Sequence, residues 1–450
     1  MKLSTQEIAK AVGGYASTDI EISGVFTDSR KPLSGGLFVA LEGENFDGHK
    51  FIESAVKSGA AAVMCKAVPP VNVPYILVQN TKTAYQSLAA YYRVKTGVKV
   101  IGITGSVGKT TTKDLTALCF SAKYETYKTQ GNLNNDVGVP ATLLSIEPCH
   151  DAAIVEMGMN HSGEISLLTR IAAPDAAIIT NVGITHIENL GSRENILKAK
   201  LEILEGMKTG SPLIINADND MLSGADIQGF RLIKCSLEQE ADVYAENIIE
   251  SAEGSEFDVY VLGHKGHVKL PVAGRHNIMN SLLALGAGAA FDIHLNDMCN
   301  ALCLYTPSGM RQRINVVKGI TFIEDCYNAS PDSVNAALSV LKNLPVKRRI
   351  AVLGDMLELG DIAEKSHALI GEAAVNNNVD ILLTYGEMTR HTAEKAKELG
   401  LKEVYSFNDH DSLAKKLFET VKPNDGVLFK GSRGMKLETA MNKLYEMLGE

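Results

Sequence analysis

A glycine-rich segment between an apolar run and a helical pattern carries the clearest chemical signal in this 450-residue sequence. Residues Thr104–Thr111 read TGSVGKTT, and the β-branched run Val98–Thr104 leads directly into them. Glycines let a backbone turn tightly and point its N–H groups inward, and the N-terminus of a following helix adds partial positive charge. The segment is typical of a loop that binds the phosphates of a nucleoside triphosphate.

Two side chains of this loop have roles that its chemistry predicts. Lys109 is expected to reach the β- and γ-phosphates of a nucleoside triphosphate, and the Thr110 hydroxyl is expected to ligate Mg²⁺. The general pattern has its first glycine where this chain has Ile103, with Gly102 one position earlier. A glycine-rich turn that binds nothing is the alternative. The other loop residues predicted to bind the nucleotide phosphates are Thr104, Gly105, Ser106, Val107, Gly108 and Thr111.

Three residues further along the chain could complete a phosphate and metal site. Glu156 follows the apolar run Ala152–Val155, at the end of a strand where a parallel sheet presents ligand-binding groups. His186 follows a second run, and a histidine there could ligate a metal or contact the transferred group. Lys200 lies in a helical stretch, where a lysine is usually solvated. Taken alone, Glu156 could be an ordinary strand-end residue and His186 a capping or core residue.

The elements that must position these residues alternate between strands and helices. Such alternation predicts parallel sheets covered by helices on both faces, an α/β fold. We predict three domains: residues 1–96 as a small α/β unit, 97–310 as the phosphate-loop domain and 311–450 as a Rossmann-like unit. The predicted strands are Gly36–Leu41, Ala61–Cys65, Tyr75–Val78, Val98–Thr104, Ala152–Val155, Ala176–Thr180, Leu213–Ile215, Ile350–Leu353, Ile381–Thr384 and Val427–Phe429.

Composition and the chain ends exclude several classes of protein. The formal net charge of -9 argues against a nucleic-acid partner, because phosphate backbones are bound by basic surfaces. Seven scattered cysteines do not predict a disulfide framework and favour a reducing compartment. The N-terminus has the capping pattern of a short helix, with Ser4 and Glu7, and not that of a signal peptide. The apolar stretch Ser281–Phe291 is too short to span a bilayer, so we expect a cytoplasmic protein without membrane insertion.

Together these residues resemble the ATP-dependent Mur ligases over almost the whole chain. The segment Thr104–Thr111 is similar to the family's own variant of the phosphate loop, including the missing first glycine. The resemblance implies magnesium ligands at Glu156 and His186 and an N-carboxylated lysine at Lys200. A carbamate would make Lys200 an anion able to hold a second Mg²⁺, which gives this lysine a role that its helical position alone does not.

Further segments extend the resemblance to the nucleotide. Gly274–Asn277 together with Asn280 is similar to the family's adenine-contacting segment, which implies that Asn277 and Asn280 bind ATP. Arg311 resembles the arginine that reaches the ATP phosphates from the junction of the second and third domains. Asp325 matches the position that binds the ribose.

Other segments resemble the branch of the family that adds D-alanyl-D-alanine. These segments are 131–136, 157–164, 353–360 and 430–434, while 27–30 and 47–49 resemble a uridine-nucleotide-binding region shared with a sister ligase. Without the resemblance, 132–135 would be a solvated loop and 27–30 an ordinary polar turn. The substrate-binding residues that the resemblance implies are Ser29, Arg30, Asn134, Asn135, Asn160, His161, Tyr327, Asn328, Lys430 and Ser432.

The implied reaction joins D-alanyl-D-alanine to UDP-N-acetylmuramoyl-tripeptide through an acyl phosphate, giving a peptidoglycan precursor, ADP and phosphate. It requires ATP and two Mg²⁺ ions, and small molecules are the expected partners of a monomeric enzyme. Two alternatives stay in the superfamily: a ligase that adds a single amino acid, or one similar to folylpolyglutamate synthase. A third is a P-loop kinase or a nucleotide-switched binding protein, although a third α/β domain and the polar segments near Asp325 and Lys430 speak against it.

Overall fold

The chain folds into three successive α/β units, and this computed structural model describes residues 2–43, 46–251 and 253–449. Each unit has its own sheet with helices packed on it, which confirms the α/β architecture expected from the alternating pattern. The predicted buried strands are present within one or two residues of their expected ends. No helix in the described ranges combines the length and apolar character needed to cross a membrane.

The N-terminal unit is built around a five-stranded sheet in the order β2-β9-β8-β5-β4, with β2 antiparallel to its neighbour. Helix α1 begins after Ser4, whose hydroxyl accepts from the backbone N–H of Glu7, and ends at Gly13 in a left-handed conformation. The strands are β1 (Leu3–Ser4), β2 (Tyr15–Ala16), β3 (Glu21–Ile22), β4 (Val25–Phe26), β5 (Leu37–Val39), β6 (Glu42–Gly43), β7 (Phe46–Asp47), β8 (Ala62–Cys65) and β9 (Tyr75–Leu77), and the helices are α1 (Thr5–Val12), α2 (Ile52–Lys57) and α3 (Thr81–Thr96).

The central unit has a nine-stranded sheet in the order β11-β12-β10-β13-β14-β15-β16-β17-β18. Its strands are β10 (Lys99–Thr104), β11 (Thr126–Lys128), β12 (Ala152–Glu156), β13 (Ala176–Ile179), β14 (Pro212–Asn216), β15 (Arg231–Ser236), β16 (Val243–Ser251), β17 (Gly254–Val261) and β18 (His264–Leu270). Its helices are α4 (Lys109–Ser121), α5 (Gly138–Leu144), α6 (Glu164–Ala172), α7 (Ile187–Leu190), α8 (Arg193–Leu201), α9 (Asp220–Ser223), α10 (Arg275–Ala289) and α11 (Leu295–Leu302).

Strand β10 lies between β12 and β13, and all three run parallel. The carboxyl ends of parallel neighbours meet at one edge of a sheet, so the segments that follow these strands lie side by side. The fold therefore places the phosphate loop between the residue that ends β12 and the loop that follows β13.

The antiparallel meander β16–β18 at one edge of the central sheet is a feature that the apolar runs did not predict. Residues of β17 alternate between buried and half-buried along the whole strand. Such a strand covers the core with one face only, so it contains no continuous apolar run that would mark it.

The C-terminal unit has a six-stranded sheet in the order β19-β20-β24-β21-β22-β23, parallel except for the edge strand β19. Its strands are β19 (Arg313–Val317), β20 (Ile320–Glu324), β21 (Arg348–Gly354), β22 (Ile381–Tyr385), β23 (Glu403–Phe407) and β24 (Asp425–Lys430). Its helices are α12 (Pro331–Asn343), α13 (Ala363–Asn376), α14 (Thr389–Glu398), α15 (His410–Thr420) and α16 (Glu438–Leu448).

Helix α3 ties the N-terminal and central units together, because it packs against α1 as well as α5 and α6. The Tyr92 hydroxyl donates to the Ile146 carbonyl at 2.8 Å, and Arg93 pairs with Asp175 at 2.7 Å. Apolar residues of both units form one continuous core. Domain limits at residues 96 and 310 stay a prediction, and the first of them falls at the end of this shared helix.

Candidate active site

The phosphate loop connects β10 to α4, which begins at Lys109. The Lys109 Nζ atom donates to the carbonyl oxygens of Gly105 at 2.7 Å and Ser106 at 3.2 Å. Burial lowers the pKa of Lys109, and the Glu156 carboxylate partly opposes that shift. Gly108 has a φ of +82°, a conformation that favours glycine. The loop is therefore a concave turn with its cation folded inward.

A second loop, which follows β13, holds the phosphate loop in shape. The Asn181 side-chain oxygen accepts from the Val107 N–H at 2.8 Å, and the Asn181 carbonyl accepts from the Ser106 N–H at 3.1 Å. The Gly183 N–H donates to the Ser106 hydroxyl at 3.0 Å, and the Thr180 hydroxyl donates to the Val107 carbonyl. These contacts make the loop after β13 part of the phosphate site.

Glu156 ends β12 beside the phosphate loop and is 2% exposed. The Thr110 hydroxyl donates to its Oε2 atom at 2.9 Å, and the Asn134 amide donates to its Oε1 atom at 2.8 Å. The Thr129 hydroxyl accepts from the Glu156 backbone N–H at 3.0 Å. A hydroxyl and a carboxylate held together in this way are oxygen ligands of the kind that Mg²⁺ prefers, so the two residues fit the expected magnesium site.

Lys200 lies near the end of α8 and is only 1% exposed, unlike a solvated helix lysine. Burial and the nearby positive charge of Lys109 lower its pKa well below the ordinary value. An isolated buried ammonium is costly, whereas a neutral amine is the form that reacts with CO₂. The surroundings of Lys200 therefore fit the carbamate that its sequence position implied.

His186 follows β13 and lies directly before α7, with a left-handed backbone at a φ of 63°. Its Nδ1 atom lies 2.5 Å from the Oε2 atom of Glu358, a residue of the C-terminal unit. The neighbouring imidazole lowers the pKa of Glu358. His186 is thus placed at the phosphate edge of the central sheet and also contacts the next unit.

The C-terminal unit brings charged residues to the same edge. The Arg311 guanidinium carbon lies 3.7 Å from the centre of the Tyr327 ring. The Lys430 Nζ atom forms an ion pair with Asp325 at 2.7 Å and donates to the Asn328 carbonyl at 3.0 Å. These contacts join the segment that follows β20 to the end of β24 and to the linker between the units.

The buried side-chain amide of Gln312 links the segment between the central and C-terminal units to the start of α10. Its Oε1 atom accepts from the Asn277 amide at 2.8 Å and lies 2.9 Å from His276 Nε2. Its Nε2 atom donates to the Ala273 carbonyl at 2.6 Å. The other predicted adenine residue, Asn280, accepts from the Thr112 hydroxyl at 3.2 Å behind the phosphate loop.

These groups surround a cavity of about 510 Å³ between the central and C-terminal units. Predicted site residues that line it are Ser106, Val107, Gly108, Lys109, Thr110, Thr111, Asn134, Asn135, Glu156, Asn160, His186, Asn277, Asn280, Arg311, Asp325, Tyr327, Asn328 and Lys430. One cleft therefore gathers positions that are far apart in the sequence.

Several predicted residues lie outside the walls of this cavity. Ser432 lines a smaller adjoining cavity of about 130 Å³, and Lys200 is buried and lines neither cavity. His161 is exposed and lies 3.4 Å from a carboxylate oxygen of Glu164. Arg30 is exposed and pairs with Asp28 in the N-terminal unit. The remaining residues away from the cavity walls are Ser29, Thr104 and Gly105.

Comparison with known proteins settles the family. Residues 21–93 match the family model "Mur ligase family, catalytic domain", 103–288 match "Mur ligase middle domain", and 311–433 match "Mur ligase, glutamate ligase domain". A UDP-N-acetylmuramoyl-tripeptide--D-alanyl-D-alanine ligase of Bacillus subtilis (strain 168) is 40% identical over 456 residues, which cover 99% of each chain. The chain belongs to the Mur ligase family. The ligase with the same name from Escherichia coli (strain K12) is 36% identical over 96% of each chain.

Solved structures of Mur ligases agree with this assignment. A crystal structure of MurF from Acinetobacter baumannii is 31% identical, covers 99% of each chain and superposes with a TM-score of 0.91. MurF ligase from Thermotoga maritima in complex with ADP is 26% identical and covers 95% of this chain and 98% of its own, with a TM-score of 0.84.

Sequence reasoning missed several residues of this Mur ligase site. Asn181 and His186 belong to the same loop after β13, so the position of Asn181 at a strand end was an available signal. Gln312 and Glu358 had no such signal, because their partners lie far away in the sequence and on another unit. Asp332, at the start of α12, also lines the cavity, and burial raises the pKa of its carboxyl group.

Proposed function

We propose that this Mur ligase joins D-alanyl-D-alanine to UDP-N-acetylmuramoyl-tripeptide in a reaction driven by ATP. The observation that carries the proposal is the single cleft in which the phosphate loop and Glu156 face Arg311, Asp325 and Lys430. Relatives that carry this activity in their names align with the chain from end to end. The chain is therefore an ATP-dependent ligase that forms a C–N bond, and its product is a peptidoglycan precursor.

The reaction proceeds through an activated carboxylate. A carboxylate resists attack by an amine because its negative charge is delocalised and it has no good leaving group. Its oxygen attacks the γ-phosphorus of ATP, the bond to ADP breaks, and an acyl phosphate forms. The neutral amine of the dipeptide then attacks the acyl carbon, and the tetrahedral intermediate collapses with loss of inorganic phosphate and one proton. The protein contributes positioning and charge stabilisation.

Residues of the central and C-terminal units bind ATP and stabilise the transferred group. Lys109 turns from the carbonyl oxygens of its own loop to the β- and γ-phosphates, and the N-terminus of α4 adds its partial positive charge. Arg311 approaches the phosphates from the opposite wall. Asp325 would hold the ribose, and Asn277, released from Gln312, would meet the adenine.

The metal ligands that we propose are Thr110 and Glu156 for one Mg²⁺, with His186 and carbamylated Lys200 for a second. Bound Mg²⁺ would neutralise negative charge on the phosphate oxygens. The protein itself keeps these ligands buried and oriented. Asn134 and Thr129 do so for Glu156 through the hydrogen bonds described above.

The two other substrates occupy the flanks of the cleft in this proposal. The dipeptide lies in the smaller cavity, which includes Ser432 and shares Asn328 with the larger one. The UDP-sugar contacts Ser29 and Arg30 of the N-terminal unit, and its peptide reaches the cleft past Asn135, Asn160 and His161. We also propose domain limits at residues 96 and 310, and a monomer in the cytoplasm, where seven free thiols persist.

Phosphate release from ATP, measured with UDP-muramoyl tripeptides and a series of acceptors, tests the function. D-alanyl-D-alanine should stimulate release, while single amino acids and folate should not. Stimulation by a single amino acid would favour another Mur ligase, and stimulation by folate with glutamate would favour a folylpolyglutamate synthase. Release that ignores every acceptor would favour a kinase or a nucleotide switch. Lys109→Ala should abolish coupled turnover with its circular dichroism unchanged, and normal turnover would contradict the ATP assignment.

A further inference from the structure

The contact between His186 and Glu358 joins two units of the protein at the candidate metal site. The His186 Nδ1 atom is buried and has no well-aligned hydrogen-bond partner among the described residues. The Glu358 carboxylate, 2.5 Å away, is the group that compensates it. A buried ring nitrogen without compensation would destabilise the fold, so the carboxylate has a function at this place.

Contacts on both sides of Glu358 hold its loop in place, one set within the C-terminal unit and one with the central unit. The Leu357 N–H donates to the Ser432 hydroxyl at 2.9 Å, and the Met356 N–H donates to His367 Nε2 at 3.0 Å. The short 3-10 helix that follows, Gly360–Ile362, packs against α7, which begins directly after His186. The loop is therefore fixed at both ends, and it presents Glu358 to the histidine only while the two units are docked.

We propose that Glu358 is a positioning residue that orients the His186 ring for a divalent cation, an inference that rests on the proposed function. A metal-binding histidine commonly has a carboxylate at its other ring nitrogen, which fixes the tautomer and the ring plane. With the proton on Nδ1 facing Glu358, the Nε2 lone pair is available to the cation. The carboxylate comes from another unit, so metal affinity and docking of the C-terminal unit are thermodynamically coupled.

Binding of Mn²⁺ to the full-length protein without nucleotide tests this inference. The electron paramagnetic resonance signal of free Mn²⁺ reports the affinity and needs no turnover. Glu358→Met keeps the bulk of a side chain that is 51% exposed but cannot accept a hydrogen bond. It should weaken the His186-dependent site about 10–100-fold, the usual effect of losing such a partner. Glu358→Gln keeps an acceptor oxygen and should lose less affinity than Glu358→Met.

A double-mutant cycle separates this role from a merely structural one. His186→Ala should lower the Mn²⁺ affinity of the site, and the double variant His186→Ala/Glu358→Met should bind Mn²⁺ no more weakly than His186→Ala alone. Glu364→Gln, an exposed carboxylate change on the same unit, is the control and should bind like the unchanged protein.

Unchanged affinity in Glu358→Met, losses that add in the double variant, or the absence of any His186-dependent site would overturn the inference. The two proposals fail separately, because the acceptor-dependent phosphate assay decides the ligase function and the Mn²⁺ titration uses no substrate. A protein that ligates the dipeptide normally yet binds Mn²⁺ independently of Glu358 refutes this inference alone.

Discussion

Removal of the Tyr327 ring should impair the use of ATP, because the ring supports Arg311. The guanidinium carbon of Arg311 lies 3.7 Å from the ring centre, within the range of a cation–π contact. The Tyr327 backbone N–H donates to the Met310 carbonyl at 3.3 Å, which places the ring beside the linker that carries the arginine. Both side chains are partly buried, so solvent only partly weakens the contact.

The size of the effect follows from this geometry. A cation over an aromatic face contributes about 1–2 kcal/mol when it is partly desolvated. If all of that free energy holds Arg311 in place for the phosphates, Tyr327→Leu should lower kcat/KM for ATP by roughly 5–30-fold. The acceptor-coupled phosphate assay, with ATP varied at saturating tripeptide and dipeptide, gives this ratio.

Tyr327→Phe is the matched control, since it keeps the ring face and removes only the hydroxyl group. This variant should retain kcat/KM for ATP within about twofold, because a phenyl ring also attracts a cation. A Tyr327→Leu variant with normal kcat/KM would refute the role of stacking. Equal impairment of both variants would assign the effect to the hydroxyl group instead. The double variant Tyr327→Leu/Arg311→Ala should lose no more kcat/KM for ATP than Arg311→Ala alone.

Two further predictions concern buried titratable groups. Lys200→Ala should lose most ligase activity and regain part of it with added short carboxylic acids, which supply the missing anion; an unimpaired variant would remove the carbamate from the mechanism. His367 donates from Nδ1 to the Ala363 carbonyl at 2.8 Å and accepts from the Met356 N–H at Nε2, and burial lowers its pKa. The His367 imidazole therefore binds a proton near pH 6.5 in the unfolded chain but not in the folded chain. Its contribution to the free energy of unfolding is complete above that pH and is lost as the pH falls below it, by at most about 1.4 kcal/mol per pH unit. Urea unfolding at pH 7.5 and 5.5 should show a smaller acid loss in His367→Gln than in the unchanged protein; equal losses would contradict the assignment.

Most strands of the parallel sheets could be predicted because both of their faces are buried. Residues such as Ile101, Ile154 and Ile178 lie in strands with helices on either side, so each strand is a continuous apolar run. In β17, the buried residues Phe257 and Val259 alternate with half-buried residues, so the strand has no continuous apolar run that distinguishes it from the surrounding sequence. Two-sided burial thus explains the strands that were predicted, and one-sided burial explains why β17 was missed.

The predicted site depended on a different rule. Lys109, Glu156 and His186 each lie at or beyond the carboxyl end of a strand of one parallel sheet, so topology alone brings them to one edge. Residues that stabilise this edge from the C-terminal unit are set by how two units dock, and that geometry leaves no local pattern. Gln312 and Glu358 belong to this second class, and only the three-dimensional structure could reveal them.

The division of groups between the units has a chemical consequence. The central unit already holds Lys109 and Glu156 in place, whereas Arg311, Asp325 and Glu358 arrive with the C-terminal unit. An acyl phosphate in an open cleft would be lost to water, so the groups that complete the site should come only when the cleft is covered. A carboxylate that orients a metal ligand across the same interface would make metal binding and coverage depend on each other. Activation of the carboxylate is then favoured only in the arrangement that protects its product.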